Sequence, residues 1–171
     1  PEFIFGKEEL RAAFNDKTKM IIINSPNNPT GRVFNKEELS FIASLAIEHD
    51  AIVLSDEVYD KLVLTGTPIP IATLPGMYDR TITLRSLGKV FSVTGWKIGW
   101  SVAPLALTTA IRSAHQFLTF CASTPLQIAA AESLRASAEY FETYTNEYRM
   151  RRDLLVDGLQ SVGFNVTSPE G

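Results

Sequence analysis

Lys89 closes the run Ser86-Leu87-Gly88-Lys89, and a second lysine, Lys97, follows behind Gly95-Trp96. A hydroxyl, a glycine and an amine in one short run suit an anionic ligand with an electrophilic carbon. The hydroxyl bonds a phosphate and the glycine lets backbone approach it. An ammonium that is desolvated or set near other cations loses its proton readily, so Lys89 has the chemistry of a Schiff-base lysine. Lys97 would add positive charge for the phosphate. Asp56 ends the apolar run Ala51-Ile52-Val53-Leu54 through Ser55. A buried carboxylate needs a cationic partner, and a ring nitrogen would serve. Asn28 lies in Asn24-Ser25-Pro26-Asn27-Asn28-Pro29-Thr30-Gly31, which is nearly pure turn chemistry. Each residue also has a plain reading: Asp56 as a strand-end cap, Lys89 as a surface lysine, Asn28 and Gly31 as turn formers.

These residues need elements that bring them together. Met20 to Ile23 and Ala51 to Leu54 are short apolar runs of the kind that form strands buried on both faces of a parallel sheet. Between them, Asn35 with Glu38 three residues on reads as a capping-box variant. Leu39, Ile42, Ala43 and Ala46 then fall on one helical face, which completes a βαβ unit with a right-handed crossover. Thr81 to Leu84 and Ile98 to Ala103 are further strand candidates. In open α/β sheets ligands bind beyond the carboxyl ends of the strands. Asn28, Asp56 and the run from Ser86 to Lys89 are therefore expected on one rim.

A short helix is expected over Glu8 to Phe14. The second half reads as helical. Pro104 opens a helix at its first position, with Leu107, Ile111, Ala114 and Leu118 as its stripe. Thr124-Pro125-Leu126-Gln127 reads as a capping box with proline at the first helical position. A long helix runs from about Glu139 to Leu159, with Phe141, Tyr144, Tyr148, Leu155 and Leu159 on one side. Gly163 then breaks the chain before a strand near Phe164. Trp96 and Trp100 are expected to pack beneath the lysine loop rather than touch a ligand.

The 171 residues carry 16 basic and 19 acidic side chains, a net charge of −3, with 45% hydrophobic and 20% charged residues, so the chain is globular rather than disordered. No like-charge run marks a nucleic-acid footprint. No apolar run has transmembrane length and no signal peptide is visible. The lone cysteine, Cys121, rules out an internal disulfide and reads as a buried structural thiol, which fits a reducing, cytoplasmic or organellar setting. His49 and His115 lack partners at metal-ligand spacing, so no metal is expected. The chain lacks an initiator methionine and ends at Ser168-Pro169-Glu170-Gly171, so it reads as a segment of something longer.

Three of these segments resemble the signatures of class I/II aminotransferases, in the family's order. They are Asn24 to Gly31, then Ser55-Asp56-Glu57-Val58-Tyr59, then Ser86-Leu87-Gly88-Lys89 followed by Thr94-Gly95-Trp96-Lys97-Ile98-Gly99-Trp100. The branch most similar is that of the kynurenine–oxoglutarate and glutamine transaminases, which also has lysine where many relatives have arginine at position 97. The resemblance implies an α/β fold. Residues 1–138 would be part of the large domain of a fold type I pyridoxal-phosphate (PLP) transferase, a mostly parallel sheet with flanking helices. Residues 139–171 would be the connecting helix and the start of a small α+β domain. It implies that Lys89 anchors PLP and moves the substrate proton, that Asp56 pairs with the ring nitrogen, that Tyr59 and Asn28 bond the phenolic oxygen, and that Ser86 and Lys97 bind the phosphate. It further implies amino acid and 2-oxo acid substrates, a homodimer in the full-length protein, and no nucleic-acid or membrane partner. A cysteine S-conjugate β-lyase begins with the same proton abstraction, and a PLP-sensing domain of a transcription regulator shares the fold. Both stay open at this point.

Overall fold

Asn35 caps the helix around which the core assembles. Its side chain accepts from the Glu38 amide at 2.9 Å, and the Glu38 carboxylate accepts from the Asn35 amide at 2.8 Å. The capping box expected from the sequence is thus complete. In the computed structural model, which describes residues 3–171, this helix is α2 (Lys36–Glu48) and follows α1 (Lys7–Ala13). Its apolar stripe, Leu39, Ile42, Ala43 and Ala46, packs against Ile23 and Val53 together with Ile71 and Met77. Burying a side chain such as Leu39 or Ile42 stabilises the fold by about 1.5–3 kcal/mol each.

The sheet has the order β1 (Met20–Asn24), β2 (Ile52–Asp56), β3 (Thr81–Ser86), β4 (Gly99–Val102). The first three strands are parallel, with Asn24 beside Asp56 and Asp56 beside Leu84. β4 returns antiparallel, pairing Ser86 with Gly99. A Cβ on residue 99 would lie 2.8 Å from the Arg85 carbonyl oxygen, so this close approach requires glycine. The mostly parallel α/β architecture agrees with the sequence reading, but β1 is not buried on both faces. Ile23 faces α2, whereas Ile22, on the opposite face, is 68% exposed. With a side-chain period of two, covering only one face leaves alternate residues in water.

After β3 comes α3 (Leu87–Val90), and after β4 come α4 (Leu105–Leu118), α5 (Thr124–Ser133) and α6 (Ala138–Ser161). Leu87, Ile98 and Ala130 form a second cluster, joined by Trp100 and Phe91, so Trp100 packs as expected while Trp96 is exposed. Several local expectations are corrected. Pro104 is the N-cap of α4 rather than its first residue, and Ala114 and Leu118 are exposed instead of packed. The α5 cap is Ser123 rather than Thr124, and Gln127 turns its side chain to the Ala122 carbonyl oxygen at 2.7 Å, so no capping box forms. Cys121 is exposed, because it lies in the link between α4 and α5 instead of inside a packed element. Gly163 does break the chain, with φ +92, but no strand follows at Phe164. The terminal segment instead docks by its end. The Leu64 and Thr65 amides donate to the Glu170 carbonyl oxygen at 2.7 and 2.9 Å, and the Glu170 and Gly171 amides donate to that of Gly31 at 2.8 and 3.0 Å.

Candidate active site

The rim at the carboxyl ends of β1, β2 and β3 is organised by Asn24. Its side-chain amide donates to the Asp56 carbonyl oxygen at 3.1 Å, and its side-chain oxygen accepts from the Asn28 amide at 2.9 Å and the Asn27 side chain at 3.2 Å. One residue therefore ties the β1 exit loop to the end of β2. Asn27 closes the loop: its side-chain oxygen accepts from the Thr30 hydroxyl at 2.6 Å, and its backbone carbonyl oxygen accepts from the Gly31 amide at 2.8 Å. Gly31 turns the chain at φ +67, a conformation that disfavours a Cβ. Asn28 is left projecting from the loop, and its side chain donates to the Tyr59 hydroxyl at 3.1 Å.

Tyr59 follows β2 in a turn braced from β3. The Arg85 guanidinium meets Glu57 at 2.7 Å and also bonds Asp60. Burial raises the Glu57 carboxyl above its ordinary value, with Arg85 and the Ser55 hydroxyl partly opposing the rise. Lys89 stands on α3 with its Nζ 5.8 Å from the centroid of the Tyr59 ring. Ser86 caps α3, its hydroxyl oxygen accepting from the Gly88 amide at 3.1 Å. Thr94 donates to the Gly88 carbonyl oxygen at 3.0 Å and holds the following loop against α3.

The structure thus joins Asn28, Tyr59 and Lys89 directly and places Ser86 one helical turn from Lys89. Asp56 ends the neighbouring strand, with its carboxylate accepting from the Val58 amide at 3.3 Å. Lys97 is exposed and left-handed, at φ 54, where it ends the turn Thr94–Trp96. Neither Asp56 nor Lys97 has a side-chain bond to the other candidates among the described residues. A cavity of about 490 Å³ opens beside the rim, lined by Asn28 and Tyr59 with Pro26, Leu62, Tyr148 and Leu155. It adjoins Tyr59 without reaching Lys89, so the arrangement of the rim, not the cavity, defines the candidate site. Sequence reasoning missed Asn24 and the Arg85 brace as working parts. Asn24 was visible as a polar residue ending an apolar run; Arg85 had no comparable mark.

A parallel sheet that presents an amine, a carboxylate, a phenol and an amide at the ends of successive strands has the make-up of a fold type I PLP-binding domain. The model of the aminotransferase class I and II family matches residues 5–171, and the chain belongs to that family. Kynurenine–oxoglutarate transaminase 3 of Mus musculus is 44% identical over 178 residues, covering 99% of this chain and 39% of that protein. Kynurenine–oxoglutarate transaminase 1 of Homo sapiens is 42% identical, covering 95% and 40%. The structure of N-succinyldiaminopimelate aminotransferase from Mycobacterium tuberculosis superposes with a TM-score of 0.94 at 40% identity, covering 98% of this chain and 44% of that one. The chain therefore spans about two-fifths of the length of the curated relatives it matches.

PLP is the cofactor of this family, and the rim fits it. Among the described residues, Asp56 has no ion-pair partner although it is half-buried, which leaves its charge for a cationic ring nitrogen. The Tyr59 hydroxyl accepts from Asn28 and keeps its own proton to donate.

Proposed function

We propose that this chain is the PLP-binding part of an aminotransferase that exchanges an amino group between an L-amino acid and a 2-oxo acid. PLP, when bound, supplies an electron sink for the pair left at the substrate α-carbon. Lys89 would hold the cofactor through Nζ, and the same amine would carry the proton of the substrate α-carbon. Asp56 would pair with the ring nitrogen; an ion pair at about 4 Å and an effective dielectric near 20 is worth about 4 kcal/mol. Tyr59 and Asn28 hold the phenolic oxygen, while Ser86 and Lys97 serve the phosphate. Residues 1–138 belong on this reading to the cofactor-binding domain, and 139–171 to the connecting helix and the start of a small domain. The full-length protein would be a homodimer. Kynurenine- and methionine-type substrates fit the relatives' names, which speak for transamination over β-elimination, and glutamine-type substrates belong to the same reading by the resemblance of the motifs alone.

No helix among the described residues is long and apolar enough to cross a membrane. The single thiol suits a reducing compartment such as the cytoplasm.

The observation that carries the proposal is the meeting of Lys89, Tyr59 and Asn28 where three parallel strands end. The test is a PLP titration of the full chain followed by its visible absorbance, borohydride reduction and peptide mapping. The expected result is a visible band with the label on Lys89, both lost in Lys89→Ala. A folded chain that gives no band, or a label on another lysine, would refute it.

A further inference from the structure

We infer that α6 is the frame that sets the separation of Lys89 from Tyr59, and that Tyr144 is the positioning residue for Lys89. This inference rests on the reading of Lys89 as the cofactor anchor. α3 has only four residues, so its last carbonyls have no partner inside the helix, and the chain turns away at Ser92 with φ 55. The Lys89 carbonyl is one of those orphans. The Tyr144 hydroxyl donates to it at 2.7 Å, and the Tyr140 hydroxyl reaches the next carbonyl, of Val90, at 3.4 Å. Phe91 stacks on Tyr140 at 5.4 Å, which seats the end of α3 against the helix.

The opposite flank of the site is held by the same helix. Tyr59 leads into the single turn Asp60–Leu62, whose carbonyls also lack helical partners. The Thr145 hydroxyl donates to the Lys61 carbonyl oxygen at 2.7 Å, and Arg149 Nε donates to that of Leu64 at 3.0 Å. Tyr144 and Thr145 are adjacent, so one turn of α6 grips the segment carrying the amine and the segment carrying the phenol. The 5.8 Å approach of Lys89 Nζ to the Tyr59 ring is the distance those two grips leave. Burial, with the neighbouring Tyr148, pushes the Tyr144 hydroxyl up to about 12, so the donor keeps its proton near neutral pH.

The test needs no cofactor in its first arm. Lysines of the full chain are reductively methylated with a ¹³C label, and the Lys89 resonance is assigned with Lys89→Arg. Tyr59→Leu, which has no ring, defines the resonance without ring current. In Tyr144→Phe, which keeps the aromatic packing and removes only the donor, the Lys89 resonance is expected to move measurably toward that reference, since one neutral hydrogen bond shifts a conformational equilibrium by about two- to tenfold. Thr145→Val, which frees the Tyr59 side, is expected to shift it in the same direction, and Tyr140→Phe to leave it in place. In the second arm PLP is expected to leave Tyr144→Phe about three- to tenfold faster than wild type. An unmoved Lys89 resonance in folded Tyr144→Phe overturns the inference, as does an equal shift in Tyr140→Phe, which would show general loosening. If wild type takes up no PLP, the functional reading fails, while the resonance still decides whether Tyr144 positions Lys89.

Discussion

Replacing Arg85 with methionine keeps most of the apolar stem and removes the cation shared by Glu57 and Asp60. The side chains of Glu57 and Asp60 are 7% and 13% exposed, and that of Arg85 is 27% exposed. Removing one partner of a buried pair costs about 3–5 kcal/mol, because the remaining charge is left uncompensated. Water reaching the Arg85 site recovers part of this, so we expect a loss of about 2–4 kcal/mol near pH 7. Burial already raises the Glu57 carboxyl above its ordinary 4.5, and Arg85 is the strongest opposing influence. Without Arg85 it rises further. The native state then holds a proton that the unfolded state has released, so stability falls as pH climbs through the window between the two values. The deficit of the variant should therefore be large near pH 7 and shrink toward about pH 5, as Glu57 takes up its proton. Urea unfolding followed by far-ultraviolet circular dichroism at both pH values measures it. A deficit below about 1 kcal/mol, or one equal at the two pH values, would refute the reasoning.

Two further changes probe the supports of the site. Asn35→Ala removes the acceptor for the Glu38 amide and should cost about 1 kcal/mol in thermal unfolding, whereas Asn35→Ser, which still caps, should recover most of it; equal losses would contradict the capping account. Gly31→Ala places a Cβ 2.3 Å from that of Pro169 at a φ of +67, so it should cost about 1 kcal/mol or more and release the terminal segment. Hydrogen exchange at the Glu170 and Gly171 amides, both bonded to the Gly31 carbonyl oxygen, should then accelerate, and unchanged exchange would count against the docking.

The βαβ core was legible because each of its parts is locally encoded. Three consecutive isoleucines, a capping box and a stripe at helical spacing each specify their own conformation, whatever lies elsewhere in the chain. Exposure was not legible in this way. Ile22 and Ile23 are identical in type and adjacent, yet one is 68% exposed and the other buried, because burial depends on what covers each face of the sheet. Cys121 was misread for the same reason: its apolar neighbours suggested a packed element, and the chain forms an open link there. Thr124 failed for a subtler one. Ser123 and Thr124 are both good caps, and a shift of one residue changes which backbone donors are free.

Within the site, the groups proposed for the chemistry stand out as motifs in the sequence, and the groups that hold them do not. A ligand with fixed geometry demands an amine, a carboxylate and a phenol at set places, so their spacing in the chain carries information. An orphan carbonyl demands only a donor. Tyr144 satisfies the carbonyl of Lys89 across 55 positions of sequence, and Thr145 and Arg149 satisfy Lys61 and Leu64 across 84 and 85. Other hydroxyls or cations on a helix of suitable reach could meet the same need, so residue type alone gives no warning of the role. It follows that changes on this face of α6 should be read first as changes in the geometry of Lys89 and Tyr59, even though none of its residues is among the groups assigned to the cofactor.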